Sequence, residues 1–427
     1  MRSIQKVVVL GANGVMGAGA GALFASAGVP TVMLARTAEK AAAGVARANQ
    51  ITKGRIRPGL LSAGTYDDDL ATVIADADLV LEAVAEEAAT KRDVISLIDR
   101  LREPHTIVAT VTSGLSIADL CAGYSSSLRE HFLGIHLFNP PMAIAGCELI
   151  AHPGTDPGVL AVAREFLTSV CGRQVVECAD RPAFAGNRLG FKLLNEVAQL
   201  AEEHGVAFMD RLLGPHTGRA LPPLATIDLV GWDVHKAIVD NLRIRTRDTA
   251  RESFKLPSYM RRGIERGTLG RKAKELGGFY RERGAFVLDP ASGDYHPASP
   301  LASPLAEAME AVLRTRGYAG AMEVMCNARG LEAEILQRVL LGYVSYGLGL
   351  VGEVVARPRD VDRIMGFGFA WAPPGVLVDA IGPARAIVLL EQLELPVPAV
   401  VEQAARSGRP VFDEPAIDAS RFFAVAA

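Results

Sequence analysis

The sequence predicts a doubly wound, parallel α/β sheet followed by an all-α part built on a duplicated helical unit. Three observations carry this. Apolar strand-like runs alternate with helical stretches up to about residue 181. A glycine-rich turn joins the first strand to the first helix. From about Pro182 strand signals weaken, and apolar residues recur at helical spacing.

The elements follow in order. "KVVVLGANGVMGAGAGALFASAGV" reads as strand, glycine turn and helix, and "TVMLAR" as the second strand. "ADLVLEAV" and "TIVATVT" are further apolar strands. "FLGIHLF" is another, and Pro140 and Pro141 stop it, so His136 falls at a strand end and Glu148 past a loop. "NRLGFKLLNEVAQLAEEHGV" then has helical spacing. A repeat follows. "FMDRLLGPHTGRALPPLATIDLVG" and "DVDRIMGFGFAWAPPGVLVDAIG" each hold an Asp-Arg pair, a Gly-rich loop, a Pro-Pro and an apolar Asp-containing segment ending in Gly. "GGFYRERGAFVLDPASGDYHPASPLASP" reads as a linker between the copies. The expected division is 1–181 for dinucleotide binding, 182–285 for the first helical part, 286–330 for a connecting segment and 331–427 for the second repeat.

Length and composition set the limits. At 427 residues the chain exceeds a single hydrophobic core. A net charge of −3 and a pI near 6.3, with no basic block, argue against nucleic acid as a partner. Cys121, Cys147, Cys171, Cys178 and Cys326 match no metal spacing and read as reduced core thiols of a cytoplasmic protein, with no metal site expected. The N-terminus enters a strand directly, so no signal-peptide pattern is read. The uncharged run Val339 to Gly352 is shorter than the roughly 20 residues of a membrane span and reads as a buried helix.

In "VVVLGANGVMGAG", Gly11, Gly14 and Gly17 let the backbone turn tightly and approach a pyrophosphate, which the helix N-terminus would hold. This is a Rossmann-like arrangement with one extra residue at its start, Asn13. The second strand ends at Arg36, where NAD-binding sheets place an acid for the ribose hydroxyls. Late in the sheet, His136 and Glu148 pair an imidazole with a carboxylate. Hydride transfer from an alcohol needs a base for the hydroxyl proton, and a carboxylate orients such a base.

"GIHLFNPP" with a glutamate twelve residues past its histidine resembles the signature of L-3-hydroxyacyl-CoA dehydrogenases. "LVLEAVAEEAATK", "TVTSGLS" and "RPAFAGNRLGFKLLNEV" resemble that family in the same order. The helical duplication and "GRKAKELGGFYR" are similar to the dehydrogenase part of the bacterial fatty-acid β-oxidation multienzyme, without its hydratase. The resemblance implies interconversion of an L-3-hydroxyacyl-CoA and a 3-ketoacyl-CoA, with NAD as cofactor and an acyl-CoA thioester as substrate. It implies His136 as general base, Glu148 as its orienting partner, Ser113 as a hydrogen-bond donor to the reacting oxygen and Asn187 as a further holder of that oxygen. Glu86 and Lys91 match cofactor-contacting positions, and Asn139 a supporting one.

Departures bear on specificity. Val111 replaces an amide beside Ser113, and "TGRALPP" replaces an aromatic-Pro-x-Gly-Pro stretch. "ARTAEK" resembles the Arg-Thr-x-x-Lys of NADP-linked hydroxyacid dehydrogenases, so NADP stays open beside NAD. Lys53, Arg55 and Arg57 either meet CoA phosphates or form a solvated basic loop. A homodimer stays open. Two rival readings stand: a dehydrogenase of a free 3-hydroxy acid, which the helical duplication disfavours, and a non-catalytic nucleotide-binding relative, which the retained Ser113, His136, Glu148 and Asn187 disfavour.

Overall fold

The computed structural model describes residues 3–412; 1–2 and 413–427, the latter closing the expected second repeat, lie outside the described residues. The chain forms two compact units. The first runs through Phe184 and takes in Glu353–Ala356 and Phe367–Phe369. The second takes in Ala185–Gly352, Arg357–Gly366 and the described residues from Ala370.

The first unit is built on β1 (Val7–Leu10), β2 (Thr31–Ala35), β3 (Leu61–Thr65), β4 (Leu79–Glu82), β5 (Ile107–Thr110), β6 (Phe132–Leu137), β7 (Gly146–Ala151) and β8 (Gln174–Ala179). Their order in the sheet is β3-β2-β1-β4-β5-β6-β7-β8. β1, β4, β5 and β6 are buried at every residue, which is why they read as continuous apolar runs. All neighbours pair in parallel except β6 and β7. The expectation of a parallel sheet is corrected at that one ladder. A parallel return needs a crossover of roughly a dozen or more residues, and the connection 138–145 is too short. Glu148 lies past that loop, as expected, and inside the antiparallel strand β7. β8 is an edge strand: Cys178 bridges Val355 antiparallel, and Ala179 N–H donates to the Val354 carbonyl at 2.8 Å. The far segment covers backbone groups that an open edge would expose. All five cysteines are buried free thiols.

The second unit is mainly helical, and the repeated Asp-Arg pair has a structural cause. Asp210, in the helix Val206–Leu212, accepts hydrogen bonds from Leu224 N–H (2.8 Å) and Ala225 N–H (3.0 Å) at the start of the helix Pro223–Val230. Asp362, in the helix Pro358–Ile364, accepts from Gly375 N–H (2.9 Å) at the start of the helix Pro374–Ile381. Each acid fills the donors that a helix N-terminus leaves unpaired. The two Pro-Pro loops also meet, through an antiparallel bridge between Arg219 and Trp371 and an Ala372 N–H to Gly218 carbonyl bond of 2.8 Å.

Residues 286–330, expected as a linker, are structured. Phe286–Leu288 lies between Tyr280–Arg281 and Tyr295–Pro297 in a small antiparallel sheet, and Pro304–Asn327 is a helix interrupted at Gly317. Short strands and Gly/Pro/Ser-rich turns share one composition, which hid them. The expected helix after Val339 lies in Leu331–Gly349. Among the described residues, no helix is long and apolar enough to cross a membrane.

Candidate active site

The glycine loop leaves β1 and enters the helix Val15–Ser26. Gly11 has φ +85°, and a Cβ there would lie 2.3 Å from the Ala83 carbonyl oxygen. A Cβ on Gly17 would lie 2.3 Å from the Gly11 carbonyl oxygen. Gly14 is the N-cap, with no side-chain cap and no acid in the first helical turn. A close-packed backbone with an uncapped, positive helix end fits a dinucleotide pyrophosphate. Gly11 N–H also donates to the Tyr66 hydroxyl at 2.9 Å, a partner the sequence did not reveal. Burial pushes the Tyr66 phenol up, while nearby Arg36 pulls it down. Arg36 itself is exposed, directly past the end of β2.

His136 and Glu148 face each other across the β6–β7 ladder as direct partners. His136 Nδ1 donates to Glu148 Oε2 at 2.6 Å, and both side chains are buried. The carboxylate fixes the ring, so Nε2 is the atom that takes a proton. Phe138 and Phe184 flank the imidazole, at 4.8 and 5.7 Å between ring centroids. Ala183 and Phe184 have φ of 58° and 53°, a costly region for residues with side chains. Burial of the Phe184 ring against His136 holds it there. "RPAFAGN" carries no local sign of the role of Phe184.

A second polar cluster lies past β4 and β5. Lys91 is fully buried and donates to Glu82 Oε1 and Oε2 at 2.8 and 3.0 Å, with Glu86 at 3.3 Å. Thr110 Oγ1 donates to Glu82 at 2.6 Å. Glu86 accepts from Thr112 Oγ1 (2.6 Å) and Ser113 N–H (2.8 Å). Lys91 thus holds Glu86, and Glu86 holds the backbone at Ser113. Glu82, missed in the sequence, is the buried centre of this cluster; its only signal was one acid in the apolar run "LVLEAV".

The remaining candidates are placed separately. Asn187 is buried in the first turn of the helix Gly186–His204, in the second unit. The Asn139–Pro140 peptide is cis. Lys53, Arg55 and Arg57 lie exposed between Ile51 and β3. Among the described residues, no group of three or more His, Cys, Asp or Glu is placed to hold a metal.

A doubly wound sheet with a pyrophosphate loop at one strand end and a buried imidazole–carboxylate pair at another defines a nicotinamide-dependent dehydrogenase. Residues 6–181 match the 3-hydroxyacyl-CoA dehydrogenase NAD binding domain, and residues 184–282 match the C-terminal domain of that enzyme. The chain belongs to the 3-hydroxyacyl-CoA dehydrogenase family. A 3-hydroxybutyryl-CoA dehydrogenase of Mycobacterium tuberculosis is 32% identical, over 65% of this chain and 98% of that protein. A probable 3-hydroxyacyl-CoA dehydrogenase of Bacillus subtilis is 29% identical over 96% of this chain, which spans 55% of that longer relative. The structure of M. tuberculosis FadB2 matches 66% of this chain and 99% of its own, with a TM-score of 0.60 and 30% identity. An Escherichia coli 3-hydroxybutyryl-CoA dehydrogenase shares the fold over 95% of this chain and all of its own, with a TM-score of 0.72 and 21% identity.

Proposed function

We propose that this chain interconverts L-3-hydroxyacyl-CoA and 3-ketoacyl-CoA thioesters, with NAD as cofactor. The observation that carries this is the buried His136–Glu148 pair, set across two strands of a sheet that also carries the pyrophosphate loop. NAD, when bound, supplies the hydride acceptor for C3 of the alcohol; Gly11, Gly14 and Gly17 would hold its pyrophosphate. His136 Nε2 takes the hydroxyl proton during oxidation and returns it during reduction. Glu148 keeps Nδ1–H engaged and stabilises the imidazolium that forms. Phe138 and Phe184 exclude water from the ring's faces. Ser113 and Asn187 are assigned to hold the reacting oxygen, Ser113 on a backbone fixed by Glu86. The family match supports the reaction class, and the five buried thiols support a cytoplasmic setting.

The test is reduction of acetoacetyl-CoA, followed at the nicotinamide absorbance with NADH and the full chain. The parent is expected to turn over. His136→Gln is expected to lower kcat by roughly 10²–10⁴, the worth of a positioned acid–base group, with NAD affinity unchanged. Turnover of 3-hydroxybutyrate but of no CoA thioester would favour the free-acid reading. No turnover of either by a folded, NAD-binding chain would favour the non-catalytic one.

A further inference from the structure

In the second unit a cavity of about 260 Å³ opens between the helix Ser258–Glu265 and the hairpin of Phe286–Leu288 and Tyr295–Pro297. Arg262, Arg266 and Arg281 line it, over Trp232, Tyr259 and Tyr295. We propose that this cavity binds a phosphoryl group, carried either by free phosphate or by the phosphate-bearing end of a nucleotide.

Charge is the first argument. No Asp or Glu lines the cavity, and none of the three arginines lies within ion-pair distance of a carboxylate among the described residues. Elsewhere on this chain arginines find such partners, as in Arg164–Glu177, Arg211–Glu310 and Arg316–Glu323. Asp289, beside the cavity's Pro290, is committed to its own turn, accepting from Ala291 N–H at 3.0 Å and Ser292 Oγ at 2.9 Å. Three like charges sharing one concavity repel, and an anion relieves the repulsion.

Preorganisation is the second. Arg281 Nε donates to the Leu276 carbonyl at 2.9 Å, and its guanidinium lies 3.5 Å from the centroid of the Tyr295 ring. The bond and the stacking fix the guanidinium plane, the geometry a planar contact with phosphate oxygens needs. Arg262 is tethered by a 3.2 Å bond to Ser258 Oγ. Beneath them the floor is rigid. A Cβ on Gly263 would sit 2.7 Å from the Trp232 ring, so the helix backbone rests directly on the indole.

Size is the third. The volume falls below the roughly 300–1,000 Å³ of a drug-sized pocket. It takes a phosphate with part of an attached group. Its lining residues all belong to the second unit, and the pyrophosphate loop to the first.

The test is isothermal titration of the full chain, in phosphate-free buffer at low salt, with inorganic phosphate and with adenosine 3′,5′-bisphosphate. Saturable binding is expected for the parent, weakened about tenfold or more by Arg266→Gln and by Arg281→Gln, the loss of one charge-assisted contact. The Arg266 side chain is exposed and, among the described residues, makes no hydrogen bond or ion pair; the backbone N–H that caps the helix is kept in the variant, so the fold is kept. Arginine-dependent binding of the bisphosphate about tenfold tighter than phosphate identifies a nucleotide as the source; equal affinities identify free phosphate. No saturable binding of either probe overturns the proposal, as does binding that both substitutions leave unchanged.

Discussion

At the scale of single residues, two side chains decide more than their place in the sequence suggests. Arg36 stands where an acid would bind the adenosine ribose and repel a 2′-phosphate. NAD remains the cofactor of this domain, yet the repulsive element that enforces the preference is missing. The parent is expected to discriminate only weakly against NADP. Arg36→Asp is expected to move the ratio of kcat/KM values towards NAD by roughly 1.5–3 kcal/mol, the scale of a hydrogen bond to a charged group. Kinetics with both cofactors on parent and variant check this, and a ratio that does not move would place Arg36 away from the ribose. Lys91 matches a cofactor-contacting position of the family, and its ammonium is fully buried on Glu82. Lys91→Met leaves Glu82 buried with no counter-charge. A loss of about 3–5 kcal/mol is expected in chemical denaturation, with partial recovery in Lys91→Met/Glu82→Gln. If the single variant is as stable as the parent, the pair is not what holds the loop before Ser113.

At the scale of elements, the same capping device is used twice and carries a pH signature. Burial pushes the carboxyls of Asp210 and Asp362 up to about 7, against the pull of the N–H groups they accept from. An unfolded aspartate titrates near 3.9. Between those values the folded chain binds more protons than the unfolded one, so this contribution to stability is present at low pH and is lost as pH rises from about 4 to 7. Asp362→Asn keeps an acceptor for Gly375 N–H and removes the titration. The Tm of the variant minus that of the parent is therefore expected to rise between pH 5 and pH 8. A flat difference would mean that Asp362 stays ionised in the fold. The repeat that led to these acids was legible because its parts recur in one order. So were the strands buried on both faces and the glycine loop. β3 and β8 were not: at the edges "LSAGT" and "QVVECA" lose the continuous apolar run. The His136–Glu148 pair was legible in identity but not in geometry. Its contact depends on β7 running antiparallel, which composition does not encode.

At the scale of the whole molecule, the chain returns to its first unit long after leaving it. Glu353–Ala356 covers the edge of β8, and Phe367–Phe369 reaches the start of β7. No local period records contacts between residues about 175 or more positions apart, so a sequence reading that ends this unit near residue 181 omits both returns. The second return bears on the candidate site. Gly368 packs its backbone against Gly146, where a Cβ would lie 2.6 Å from Gly368 N. The Phe369 ring meets Phe138 edge-on at 5.7 Å, and Phe138 meets His136 at 4.8 Å. Gly146→Ala places a methyl group against backbone that has no rotamer with which to yield. It is expected to cost about 1–3 kcal/mol of stability, the usual price of overpacking. It is also expected to lower kcat, because displacing Phe367–Phe369 removes the support behind Phe138. NAD affinity should stay as in the parent, since the glycine loop lies at the end of a different strand. Thermal unfolding, steady-state kinetics and NAD titration on one preparation separate these effects. A variant with parental kcat and a lowered Tm would show that the return stabilises the sheet without tuning the imidazole; one that changes neither would remove Phe367–Phe369 from any part in the site.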